Sequence, residues 1–204
     1  PALALRRAAV AADVLRRLTE VRGDRAELAA VEDGLAPSLA DLNVVAVAEP
    51  AAGSAVEIAA GGDDQPPRRL SVGPVIAADG LELAGLDDPL ALRLAPLAEP
   101  RPAAVTLTRD ALAAGAGRLR RWRAAVASAA ESPSAPVAAA YARRATEAVA
   151  GDLDVPAALE VVDAVIADES VRPGAVFETL ALLDRMLALD LARDVGRALS
   201  SELP

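Results

Sequence analysis

From about residue 106 the chain carries four apolar patterns at helical spacing, separated by breaks long enough only for turns. This succession limits the possible folds more than any other feature. Thr108 is placed to cap the first pattern, whose Leu112, Leu119, Trp122 and Val126 share one face. The stretch "ESPSAP" ends it. The second runs to about Ala150, with Val137, Tyr141, Ala145 and Val149 on one stripe. Asp154 caps the third, where Pro156 is tolerated in the first turn and Leu159, Val162 and Ile166 face inward. Pro173 opens the fourth, in which Phe177, Leu180, Leu183 and Leu187 recur at three- and four-residue steps. A final helix is expected over 190–202. Helices joined by short loops predict an antiparallel bundle.

The first half has a different character. Val10, Val14, Leu18 and Val21 predict a helix over 1–21, with Arg6, Arg7, Arg16 and Arg17 largely elsewhere on the wheel and Gly23 as its stop. Residues 26–31 are a weak strand candidate and 37–43 a short helix. "VVAVAEP" reads as an extended segment ended by Pro50, and "SAVEIAA" (54–60) as a strand running into Gly61 and Gly62. The prolines of "DDQPPRR" (63–69) make that stretch a loop. "LSVGPVIAADG" (70–80) reads as strand and turn, 88–97 as a short helix, and "AEPRPAA" as a linker. A reduced α/β unit of three or four strands, all before residue 110, is the expectation for this half.

Composition narrows the function classes. Apolar residues are 53% of the 204, but the only aromatics are Trp122, Tyr141 and Phe177, so helices must approach closely to bury enough area. No apolar run reaches the roughly 18 residues of a membrane span and no charged-then-apolar leader opens the chain, which predicts a cytoplasmic protein. A net charge of −9 argues against general nucleic-acid binding. The chain contains no His and no Cys, and all 21 basic residues are Arg, as the codon bias of a GC-rich genome would produce. Without thiols, neither a disulfide framework nor a thiolate metal site can form.

Several stretches resemble the cysteinyl-tRNA synthetases and, equally, the related cysteine-ligating enzyme of mycothiol biosynthesis. "DPLALRLAPLA", "TLTRDALAAGAGRLRRWRAAVA" and "GDLDVPAALEVVDAVI" resemble the region that follows their catalytic domain. Asp13 to Arg17 supply the Asp-Val-Leu-Arg-Arg run usual after the family's HIGH signature, which places HIGH itself on Ala2 to Leu5. "LADLNVVAVAEP" is similar to an Ala-Leu-Asn-Val run. "VEIAAGGDDQPPRR" is similar to an Asp-Ile-His-Gly-Gly-Gly-x-Asp strand and loop that keeps Gly61, Gly62 and Asp64, with Ala59 in place of the His and Arg68-Arg69 where a His pair is usual. "ADGLELAGL" keeps Asp79 and Gly80 of the lysine-bearing KMSKS loop, while Glu82 to Leu86 hold neither lysine.

The resemblance implies a reduced Rossmann-like remnant of the catalytic domain over 1–86, followed by a helical bundle over 87–204. It also implies lost chemistry. The family's HIGH histidines and KMSKS lysines stabilise phosphate charge during adenylate formation, and Ala, Leu and Glu82 cannot. Its zinc is held by Cys, His and Glu, and the segment bearing further ligands reads as deleted between Pro50 and Ser54. The strand before HIGH and the anticodon-recognising extension also read as absent. No catalytic, metal-binding or cofactor-binding residue is therefore assigned; Gly61, Gly62, Asp64, Asp79 and Gly80 are remnants of a nucleotide loop.

The expectation is a pseudoenzyme acting through protein association, as a homodimer or as partner or regulator of an active relative, through the face formed by residues 1–60. The alternatives are an enzyme with a repurposed site and a tRNA-binding remnant. Gly61-Gly62 also suit a tight turn and Arg68-Arg69 a solvated loop. Arg118, Arg120, Arg121 and Arg123 suit a helix face paired with carboxylates better than RNA, and Trp122 suits core. Asp63-Asp64, Asp87-Asp88 and Asp168-Glu169 lack a third ligand.

Overall fold

The computed structural model describes residues 2–28, 39–45, 57–60, 69–83 and 85–197. It is mostly helical, with two small parallel strand pairs. Helix α1 spans Ala2–Val21 and buries Val10, Val14 and Leu18. It stops at Gly23, whose φ of +95° suits a residue without Cβ. Residues 39 and 40 are helical and 41–43 form a turn, with Leu39, Leu42 and Val44 buried, while 37 and 38 of the expected helix lie outside the described residues. Residues 24–28 are irregular, as are 44–45; the rest of those two strand expectations lies outside the described residues.

Strand β1 (Glu57–Ala60) pairs in parallel with β2 (Arg69–Val72), and β3 (Val75–Ala77) with β4 (Val105–Leu107). Only Gly73 and Pro74 separate β2 from β3, so one extended run changes partner midway. Pro74 has no N–H to donate, but its carbonyl accepts from Val105 N at 2.9 Å, and Gly73 N donates to Arg101 O at 2.8 Å. A Cβ on Gly73 would lie 2.0 Å from Ala103 O, so the crossing backbones leave room for glycine alone.

Helix α2 (Leu90–Leu97) is buried almost all round, Arg93 included. Helix α3 (Arg109–Ala129) starts at Thr108, whose Oγ1 accepts from Ala111 N at 3.0 Å, and buries Leu112, Leu119, Trp122 and Val126. Helix α4 spans Ala139–Asp152, leaving Val137 ahead of the helix and half-buried. Asp154 caps α5 (Val155–Ala167) by accepting from Ala157 N at 3.1 Å. Helix α6 spans Pro173–Leu187. Ile166, Phe177 and Tyr141 sit at the margin of the core rather than in its centre. One continuous core joins α1, the 39–44 turn, β3, β4 and every later helix.

The helix expected over 190–202 does not form over its described part. Residues 191–196 are successive turns, and 198–202 lie outside the described residues. The reason is competition for backbone groups. The Asp184 carboxylate accepts from Leu189 N at 2.8 Å and Leu191 N at 2.9 Å. Arg123 donates to Leu189 O and Asp190 O, at 2.8 and 2.9 Å. Ala188 and Asp190 also adopt φ of +53° and +55°, which a right-handed helix cannot contain. No described helix is long and apolar enough to cross a membrane.

Candidate functional site

The residues singled out by sequence fall around the first half of α1, the β2–β3 run and the turn after β3. Ala2 to Leu5 form the first turn of α1. Asp79 and Gly80 form an exposed turn directly after β3, with Gly80 at φ +71° and Leu81 N donating to Ala78 O at 3.1 Å. Gly61, Gly62 and Asp64 lie outside the described residues, as do Asp63 and Arg68. Beyond the turn, Leu81, Leu83 and Leu86 pack against the core while Glu82 points to solvent. The segment is held by apolar contacts, where a phosphate-handling loop would need cationic donors.

Two buried polar knots were not expected from sequence, and their central arginines, Arg7 and Arg93, line one cleft. In the first, Arg7 Nη1 donates to Gly73 O (3.0 Å) and Ala103 O (2.6 Å), and Nη2 to Glu99 O (3.2 Å) and Pro100 O (2.9 Å). Burial pushes the Arg7 pKa down, opposed by the charge of Glu99. Arg101 completes the binding of this strand crossing, from Ser71 O at 2.6 Å to Asp152 Oδ1 at 2.7 Å. In the second, Arg93 donates through Nε to Leu187 O (2.8 Å), Nη1 to Leu42 O (2.7 Å) and Nη2 to Asp13 Oδ2 (2.9 Å). Burial lowers the Arg93 pKa and Asp13 opposes that shift. Asp13 also accepts from Arg16 and Arg17, at 2.8 Å each. A lone Arg in the apolar run "LALRLAPL" was the available signal for this knot. A buried cation requires a partner.

A shallow cleft opens between α1, β3 and α2, lined by Leu3, Arg6, Val10, Val75, Leu92 and Pro96 among others. The Nε of Arg6 is buried there without a partner among the described residues. Among the described residues no group of three or more acidic side chains is arranged to hold a metal. Asp87 and Asp88 are not a ligand pair: Asp88 accepts from Leu90 N at 3.1 Å and pairs with Arg123. Asp168 accepts from Tyr141 Oη at 2.7 Å and from Ser170. Hydrogen bonds from Ser170, then from Tyr141, hold the Asp168 carboxyl below its ordinary range.

The arginine cluster of α3 divides. Arg118 pairs with Asp163 at 2.5 Å and stacks over Trp122, which is buried and donates from Nε1 to the other Asp163 oxygen at 2.6 Å. Arg123 is buried on Asp88 and the 189–190 carbonyls. Arg120 and Arg121 are exposed, and neither has a partner among the described residues.

Comparison with known proteins gives one consistent relative. The chain is 40% identical over 113 residues to the L-cysteine:1D-myo-inositol 2-amino-2-deoxy-alpha-D-glucopyranoside ligase of Thermobispora bispora, covering 54% of this chain and 26% of the ligase. The Kytococcus sedentarius ligase of the same name is 37% identical over 136 residues, 59% of this chain and 31% of the ligase. That of Catenulispora acidiphila is 33% identical over 167 residues, 82% of this chain and 38% of the ligase. No family model matches the chain. The chain is a relative of these cysteine ligases, and it spans between about a quarter and two fifths of the length of the three.

Proposed function

We propose that this chain, a relative of the cysteine ligases, is a non-catalytic paralogue that acts by protein association, with itself or with an active ligase. In this reading residues 1–86 derive from the nucleotide-binding half of the ancestor and 87–204 from its helical region. The observation that carries the reading is the state of the 79–86 segment. Its Asp79-Gly80 turn is kept, yet Leu81, Leu83 and Leu86 lie on the core in place of a cationic loop. Arg7, which lies nearby in sequence to the position of HIGH, spends its guanidinium on four backbone carbonyls. Preorganised positive donors usually contribute most to the stabilisation of a charged transition state. Within these 204 residues there is also no His, Cys or Lys to serve as base, nucleophile or soft metal ligand.

Two measurements test the proposal. Cysteine-dependent exchange of pyrophosphate into ATP is expected to be absent, and exchange above background ends the non-catalytic reading. Light scattering at micromolar concentration, with and without an active ligase, is expected to show a species larger than the monomer. A strictly monomeric chain under both conditions ends the association reading.

A further inference from the structure

Arg6 differs from exposed arginines such as Arg109, Arg120, Arg121 and Arg185, because part of its guanidinium is shut away from water. Its Nε is buried in the cleft between α1, β3 and α2 and has no partner among the described residues. A buried N–H without an acceptor carries its full desolvation penalty, so each one in a folded protein calls for an explanation. The other two arginines of the cleft are already engaged. The terminal nitrogens of Arg7 are spent on four carbonyls. All three nitrogens of Arg93 are spent on two carbonyls and Asp13. Arg6 alone has a donor to give.

Chemistry and size then limit the occupant. Every other described lining residue is apolar, among them Leu3, Val10, Val75, Leu92 and Pro96, so these side chains supply donors and no acceptor. A water in such a place needs several polar partners, acceptors for its own hydrogens included. An anion needs donors only. Charge favours it as well. Against the three arginines stand Asp13, shared by Arg16, Arg17 and Arg93, and Glu99, which acts on Arg7 by charge without an ion pair. The cleft has room for about one water-sized sphere. That space suits a single ion and is too small for a carboxylate or phosphate group.

We propose that Arg6 and the α1–β3–α2 cleft form a binding site for a monatomic anion, chloride, held on the Nε–H of Arg6. This proposal is independent of the association reading. The test is an NMR titration of the full chain, with sodium chloride replacing sodium gluconate at constant ionic strength, read at Arg6 Nε–H. Chloride and bromide are each expected to give a saturable shift there and to raise the thermal midpoint, as a ligand of the folded state must. Sodium acetate, too large for the cleft, is expected to do neither. Arg6→Gln is expected to weaken chloride binding by about tenfold or more, the scale of a lost charge-assisted hydrogen bond, read from the chloride dependence of the midpoint. Arg6→Lys keeps the charge without a donor at the Nε position and should lie closer to Arg6→Gln than to wild type. The comparison of chloride with acetate uses the wild-type chain, so it decides the matter where a variant does not fold. An equal response to acetate, a non-saturating shift shared with exposed Arg185, or an undiminished chloride dependence in Arg6→Gln would overturn the site.

Discussion

Asp13 Oδ2 and Arg93 Nη2 lie 2.9 Å apart, and neither side chain has any exposed surface. The contact joins α1 to α2 across 80 positions of sequence, with the other Arg93 nitrogens on carbonyls from the 39–44 turn and the end of α6. Removing Arg93 leaves Asp13 with Arg16 and Arg17 but takes a buried donor from the Leu42 and Leu187 carbonyls. Arg93→Met is therefore expected to destabilise the protein by about 3–5 kcal/mol. The double variant Asp13→Leu/Arg93→Met should recover part of that loss, although the Leu42 and Leu187 carbonyls and the Arg16 and Arg17 guanidiniums each lose a partner. Urea unfolding of these two variants and of Asp13→Leu measures the quantities, and an additive double variant would show the pair to be uncoupled.

Glycines separate cleanly by position. At Gly73 an added Cβ meets Ala103 O at 2.0 Å, and at Gly174 it meets Pro133 O at 2.0 Å. Both contacts are with backbone, which cannot swing aside. Alanine at either site is expected to cost several kcal/mol, on the scale of a severe core substitution. Gly151, in the last turn of α4, has nothing within 4 Å of the added carbon. Gly151→Ala should instead stabilise, by up to about 0.5–1 kcal/mol. Thermal midpoints of the three variants give the comparison.

The grip on the segment after α6 predicts a local effect rather than global unfolding. Arg123→Ala removes the donors to Leu189 O and Asp190 O. Asp184→Ala removes the acceptor for Leu189 N and Leu191 N. Hydrogen exchange at Leu189 and Leu191 should accelerate strongly in both variants, while the interior of α3 keeps its protection. Uniform loss of protection across α3 would mean that the segment is integral to global stability.

Acid should act through Asp168. Donation from Ser170 and Tyr141 lowers its pKa in the folded state. A depressed carboxyl contributes stability that is present above the unfolded value, here 3.8, and is lost as pH falls through the folded value. The stability gap between wild type and Asp168→Asn should therefore narrow as pH drops below the unfolded value. Parallel denaturation series at neutral pH and in mild acid check the sign; a gap that widens in acid contradicts it.

The helices from Thr108 to Leu187 were legible because their determinants are local. Thr108 and Asp154 sit where an N-cap must sit, and Leu112, Leu119, Trp122 and Val126 repeat at the helical period. The segment over 191–197 was misread because apolar spacing after residue 190 ignores where backbone groups are spent. Asp184 and Arg123 claim them from a neighbouring turn and a distant helix. The pairing half of the arginine cluster was legible from excess acid, yet which two arginines remain free depends on Asp163 reaching Arg118 and Trp122 from α5. The Asp13–Arg93 knot was half legible: Arg93 stands alone in an apolar helix and needs a partner, but nothing local names Asp13, 80 positions away, as that partner.

The fourfold acceptor set of Arg7 has a temporal consequence. Its partners are carbonyls of residues 73, 99, 100 and 103, so α1 cannot satisfy its own buried guanidinium until segments 66 to 96 positions downstream of Arg7 have been made. The same delay applies to β3, whose partner β4 begins 30 residues later. During synthesis the amphipathic face of α1 must wait, exposed, for a loop that does not yet exist. Closing so long a circuit is slow compared with forming the neighbouring helices of the second half. Helix α1, although made before every segment it must hold, is therefore expected to lock last.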